Sequence, residues 1–202
     1  MKILIIHLEW SSERKALMNA EMKRMRWSAE YVSAIDGLDG DFTHVDYCYR
    51  TAVKLFGRGL SAREAACCLS HARAWERVAA STEPALILED DCLFAKSPEC
   101  IEERWKALPD SFDFVQFQRN DGWPVVAGEI REPYQRCLRV PYGACAIAVS
   151  PKGARELLRR AFPIAEPVDV FLARVSLELE AYTLAHGEYL ALPAPVSSLI
   201  NE

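Results

Sequence analysis

Residues 3–37 read ILIIHLEWSSERKALMNAEMKRMRWSAEYVSAIDG, and this stretch decides the fold class. Residues 3–8 form an apolar run interrupted only at His7, the pattern of a strand buried on both faces. Ser11 or Ser12 then stands where a helix cap is needed, and Met18, Met22 and Met25 recur at a spacing that places them on one helix face. Residues 31–35 read as a second strand, closed by Asp36-Gly37 and a turn-rich stretch to Gly40. A chain that opens strand, helix, strand builds a parallel sheet with helices packed on its faces.

The pattern continues outward. Ser61 followed by Glu64 is a capping box, and Ala65, Leu69, Ala72 and Trp75 mark the buried face of the helix behind it, to about Val78. Residues 85–88, Ala-Leu-Ile-Leu, form a short apolar strand that delivers Glu89-Asp90-Asp91 at its C-terminal end. Ser97-Pro98 and Ser150-Pro151 each join a capping residue to proline at the first helical position. The first starts a helix with Ile101, Trp105 and Leu108 on its face, the second a helix through Ala161. Residues 112–117 and 144–149 read as further strands, and residues 120–142, with three prolines and two glycines, as a long loop. One more helix is expected after Pro167, then a turn at His186-Gly187 and an irregular tail. The expected fold is therefore α/β, with a mostly parallel sheet flanked by helices in one domain over residues 1–202.

Bulk properties narrow the function. A net charge of -5 excludes a general nucleic-acid binder, since phosphate neutralisation needs an excess of Lys and Arg. No stretch reaches the roughly 18 apolar residues of a membrane span, and the opening apolar run lacks the length and cleavage site of a signal peptide. The seven cysteines form no C-x-x-C, which fits free thiols in a reducing cytoplasm. No G-x-G-x-x-G follows the first strand, and P-loop and nucleophile-elbow motifs are absent.

The acidic triplet is the sharpest chemical feature. Open α/β sheets bind ligands at the carboxyl ends of their strands. Three adjacent carboxylates there suit Mg²⁺ or Mn²⁺, ions that also bind substrate phosphates. Strand alternation would let Glu89 and Asp91 converge on one ion while Asp90 points elsewhere. The other reading of the triplet is a solvated turn with a helix-capping Asp. With no glycine loop to cradle a diphosphate, a metal bridging carboxylate and diphosphate is the economical device.

Six blocks in order carry a resemblance to a known family. They are IIHLEWSSER (5–14), the Ala-Ile-Asp-Gly stretch ending at Asp36-Gly37, LSAREAACCLSHARAW (60–75), ALILEDD (85–91), GACAIAVSPKGARELL (143–158) and Pro167-Val168-Asp169. Together they resemble glycosyltransferase family 25, the bacterial lipo-oligosaccharide galactosyltransferases and the related collagen galactosyltransferases. The chain departs from that pattern at His7, Glu9, Trp10, Arg63, Cys145 and Ile147.

The resemblance implies a GT-A-like, Rossmann-like enzyme. It would be an inverting hexosyltransferase moving a hexose, galactose by the family pattern, from a UDP-sugar to a glycan acceptor such as cell-surface lipopolysaccharide. Its implied cofactor is a divalent metal, Mn²⁺ or Mg²⁺, held by Asp91 with Glu89. Arg14, Asp36, Ser70, Glu89 and Asp90 are the implied donor contacts. Asp169 is the candidate base, with Asp121 in reserve, and Asp169 is equally a helix cap. His71 reads as a structural hydrogen-bonder, and His186 as a loop histidine or a third metal ligand. The cationic run Lys152, Arg155, Arg159 and Arg160 is either a solvated face or a contact to anionic headgroups. Cytoplasmic residence, peripheral to the inner membrane, follows from the missing leader and the lipid-linked acceptor. A second function stays open: a degenerate member that binds nucleotide-sugar or glycan without turnover.

Overall fold

A computed structural model describes residues 1–38, 47–118, 124–126 and 132–195. The chain runs β1 (Lys2–His7), α1 (Ser12–Met25), β2 (Glu30–Ser33), α2 (Tyr49–Phe56), α3 (Ala62–Ala79), β3 (Ala85–Glu89), β4 (Cys92–Phe94) and α4 (Pro98–Lys106). It continues through β5 (Phe114–Gln116), β6 (Val125–Val126), β7 (Tyr134–Arg139), β8 (Ala146–Val149), α5 (Pro151–Ala161) and α6 (Val168–Val175). Strands β9 (Ala181–Leu184) and β10 (Ala191–Pro193) follow, with a single 3-10 turn at Ala185–Gly187 between them.

Among the described residues, eight strands form one sheet in the order β2-β1-β3-β8-β5-β9-β7-β6, and β10 and β4 pair separately. The expected parallel start is present: β1 pairs parallel with both β2 and β3. Strand β8 enters antiparallel between β3 and β5, and β7 pairs antiparallel with β9 and β6. Six of the eight strands still point the same way, so the sheet is mostly parallel with β8 and β7 reversed.

Side-chain alternation in the central strands feeds two cores. Leu4, Ile6, Ile87, Phe114 and Ile147 face the layer of α3, α5 and α6, where Trp75, Leu157 and Phe171 close the packing. Ile3, Ile5, Leu86, Leu88 and Val115 face α1 and α4, where Met18, Met22, Met25 and Ile101 are buried. These strands are apolar on both sides because both sides are covered. Gly153 lets α5 start directly against the sheet: a Cβ there would sit 1.9 Å from the Asp113 carbonyl oxygen.

Helix starts match the sequence closely. Ser61 and Glu64 form the complete capping box, and Ser97 and Ser150 accept from the backbone N–H groups of Cys100 and Gly153. Ser11 occupies the cap position of α1 without making a side-chain capping bond.

Two expectations need correction. Residues 120–142 are not one loop, because β7 and the short β6 lie within them. The C-terminal region is not irregular, because it supplies β9 and β10. Strand β4 follows the acidic triplet and pairs with β10 before α4 begins. Among the missed strands β4, β6 and β10 have only two or three residues, and β7 and β9 carry buried polar residues. Gln135 and Thr183 are buried partners in the β7–β9 register, so alternation of apolar and polar residues gives no signal there.

Candidate active site

The cleft lies where the topology predicts, at the carboxyl ends of β1, β2 and β3. It encloses about 270 Å³ and is lined by Ile6, Leu8, Trp10, Arg14, Ala34 to Leu38, the inner face of α3 and the triplet Glu89-Asp90-Asp91. Strand β3 ends at Glu89 and the chain turns immediately, so alternation does not carry through the triplet. Glu89 turns to α3, whereas Asp90 and Asp91 both reach Arg14.

Glu89 turns toward α3, where its Oε1 lies 3.0 Å from His71 Nε2 and 4.0 Å from Cys67 Sγ. Asp90 is buried beneath β1, with Oδ2 2.9 Å from His7 Nδ1. Its Oδ1 accepts from Arg14 Nη1 at 2.7 Å, and the same nitrogen lies 3.3 Å from Asp91 Oδ2. Arg14 therefore joins Asp90 to Asp91, a pairing that spacing did not anticipate. Asp91 Oδ1 is buried and has no hydrogen-bond partner among the described residues. Burial, then the charge of Glu89, push the Asp91 carboxyl up to about 6 against the pull of Arg14.

The rim comes from the loop after β2. Asp36 Oδ1 accepts from the Leu38 N–H at 2.8 Å and Oδ2 accepts from Trp10 Nε1 at 2.7 Å, so Asp36 both closes its turn and anchors an exposed indole. Gly37 is required by close approach, because a Cβ there would lie 2.6 Å from the Cα of Arg63. Ser70 lines the cleft, but its hydroxyl donates to the Ala66 carbonyl at 2.7 Å and accepts from the Ile35 N–H at 2.8 Å. It holds the rim to α3, which leaves its one proton unavailable to a donor.

A second cavity of about 350 Å³ shares Cys67 and Glu89 with the first and adds Phe56, Glu64, Gly143, Ala144 and Asp169. Asp169 lies in the first turn of α6, whose cap position is Pro167, so it is not the N-cap. Its Oδ1 accepts from the Val170 N–H at 2.8 Å. Burial raises the Asp169 carboxyl above the usual carboxylate range, against the pull of that N–H, and the charge of Glu89 adds to the rise. Asp121 lies outside the described residues.

Two further groups escaped the sequence reading. Trp10 is 56 % exposed at the cleft mouth, and Arg63 lines the cleft with a buried Nη1 that has no hydrogen-bond partner among the described residues. The signal for Trp10 was present: a large aromatic follows the first strand by three residues. The remaining departures from the family pattern are structurally absorbed. Glu9 accepts from the Ser33 hydroxyl, the Cys145 carbonyl accepts from the Glu89 N–H at 3.0 Å, and Ile147 is a fully buried core residue. His186 is exposed beside Glu132 and does not line the cleft. On α5, Lys152 pairs with Asp113, Arg159 and Arg160 pair with Glu156, and Arg155 donates to the Ala79 carbonyl. No helix among the described residues is long and apolar enough to cross a membrane.

An α/β sheet with a carboxylate-floored cleft at its strand ends, beside a second cavity, is the setting of a ligand-binding site, and the family match makes it that of a nucleotide-sugar glycosyltransferase. The model of glycosyltransferase family 25 (LPS biosynthesis protein) matches residues 1–125, and the chain belongs to that family. Among solved structures it is similar to a glycosyltransferase involved in glycosylation of the major capsid of PBCV-1. That match has 10 % identity, covers 97 % of this chain and 94 % of the other, and has a TM-score of 0.51. The inositol-1-phosphate CTP transferase from T. maritima matches with 12 % identity, covering 98 % of this chain and 74 % of that one, with a TM-score of 0.49. No curated protein matches significantly.

Proposed function

We propose that residues 1–202 form one inverting hexosyltransferase domain, which moves a galactose-type hexose from a UDP-sugar to a cell-surface glycan such as lipopolysaccharide. One observation carries the reading. A buried, unpartnered Asp91 oxygen sits at the floor of a strand-end cleft that meets a second cavity containing a carboxylate of raised pKa.

The residues present fit a hard divalent ion. An orphaned buried carboxylate oxygen and an anion disfavoured by its neighbour are both relieved by a cation, and oxygen donors suit Mn²⁺ or Mg²⁺. Asp91 and Glu89 would hold it, and when bound it supplies charge neutralisation for the diphosphate leaving group. Arg14 is fixed by Asp90 at the cleft wall and presents a cation toward the phosphates. Trp10 offers its exposed ring to the base, and Asp36 beside it offers carboxylate oxygens to ribose hydroxyls.

Inversion requires proton removal from the acceptor hydroxyl on the face opposite the leaving diphosphate. Asp169 lies in the second cavity, on the far side of Glu89 and Cys67 from the donor cleft. Its raised pKa makes it a stronger base than an exposed Asp. The seven free thiols suit the reducing cytoplasm, where the enzyme would meet lipid-linked acceptors at the inner membrane face.

Calorimetric titration of UDP and UDP-galactose, with and without Mn²⁺, tests the donor site. Mn²⁺-dependent binding that Asp91→Asn abolishes is the expected outcome. Binding of equal strength without the ion would overturn the metal-dependent reading in favour of a non-catalytic binding module.

A further inference from the structure

Cys67 and His71 stand one helical turn apart on α3, and both point to the same oxygen of Glu89. His71 Nε2 lies 3.0 Å and Cys67 Sγ 4.0 Å from Glu89 Oε1, and the three ligand atoms lie within 4.8 Å of one another. We propose that Cys67, His71 and Glu89 form a thiolate-containing site for a borderline-soft divalent ion such as Zn²⁺, adjoining the oxygen-ligand site at Asp91 and sharing Glu89 with it.

The donor set selects the ion. One sulfur, one imidazole nitrogen and one carboxylate oxygen match the ligands of zinc and suit Mn²⁺ or Mg²⁺ poorly. A tetrahedral ion with bonds of roughly 2.0–2.3 Å holds its ligand atoms about 3.3–3.6 Å apart. The observed 3.0 and 4.0 Å bracket that spacing, so small side-chain rotations close the site. In the structure two protons converge on one carboxylate oxygen, in the volume a cation would fill.

Proton accounting is simple. A metal ion takes cysteine as its thiolate, so ion binding at Cys67 releases the thiol proton to solvent. With no ion bound, Glu89 Oε1 accepts a proton carried on His71 Nε2, and an ion at Nε2 requires that proton to move to Nδ1, which is buried with no hydrogen-bond partner among the described residues. The proton can reside on Nδ1 while Nε2 presents its lone pair. Cys67 and Glu89 line both cavities, which leaves a fourth position for water or a substrate oxygen. Three protein ligands with an open fourth position are the arrangement of catalytic rather than structural zinc sites. The site has Glu89 in common with the proposed donor metal and differs from it in Cys67 and His71.

Co²⁺ titration of the chelator-stripped full chain tests it spectroscopically. The expected result is tetrahedral d–d absorption with a thiolate-to-cobalt charge-transfer band that Zn²⁺ displaces. Cys67→Ser and His71→Ala each lose the charge-transfer band, whereas Cys68→Ser, whose thiol faces the Glu166 carbonyl, keeps it. Asp91→Asn also keeps the band while losing Mn²⁺-dependent UDP binding, which separates this site from the donor site. Absence of the band in the unmodified protein, its survival in Cys67→Ser or His71→Ala, or its loss in Asp91→Asn would overturn the proposal.

Discussion

Asp91→Asn should make the metal-free protein more stable while removing its affinity for Mn²⁺ and UDP. A carboxyl that titrates at 3.8 in open solvent and at about 6 in the fold is disfavoured as an anion by about 3 kcal/mol. Its side chain is only 17 % exposed, so solvent screening removes little of that. Asparagine keeps the volume and carries no charge, but gives up the 3.3 Å contact to Arg14, which retains Asp90. The net gain is therefore about 1–3 kcal/mol, or roughly 3–10 °C in Tm for a chain of this length.

The pH dependence has a defined sign. Between about pH 4 and 6 the folded state holds the Asp91 proton that the unfolded chain has released, so stability falls as pH rises through that window. The advantage of the variant is full above about pH 6 and disappears below about pH 4. Urea unfolding at both ends of the window measures it directly. Saturating Mn²⁺ at about 100 times its Kd should stabilise only the unmodified protein, by about 2.7 kcal/mol, which offsets most or all of the variant's advantage. A variant less stable than the parent at neutral pH, or a stability difference that is unchanged at pH 4, would refute the reasoning.

Other substitutions probe the remaining assignments. Asp169→Asn should lower kcat by about 10²–10⁴-fold with little change in donor affinity or Tm. Because burial raises the Asp169 carboxyl, transfer by the parent should also fade on acidification at a pH above the usual carboxylate range, as a pH–rate profile would show. Trp10→Ala should weaken UDP binding about tenfold by calorimetry, through loss of stacking worth about 0.5–1.5 kcal/mol. It should leave Tm nearly unchanged, because the ring is exposed. Gly37→Ala forces apart the rim loop and the backbone of Arg63, 2.6 Å from the added Cβ. It should cost about 1–3 kcal/mol in urea unfolding and weaken UDP binding.

The sequence by itself determined the parts that depend on neighbours along the chain. Apolar runs marked β1 and β3, methionine spacing marked the buried face of α1, and Ser61 with Glu64 fixed the start of α3. These signals are local because a hydrogen-bonded cap or a covered strand face repeats within a few residues. From them followed the parallel opening of the sheet and the placing of Glu89, Asp90 and Asp91 at a strand end. Tertiary structure alone decided which partner each carboxylate took. His7, Arg14 and His71 reach the triplet from β1, α1 and α3, across sequence separations of 83, 76 and 18 residues. It also decided that β8 and β7 run against their neighbours, and that Trp10 and Arg63 face the cleft. Packing of distant elements sets these features, and no period in the sequence encodes which element will lie opposite another.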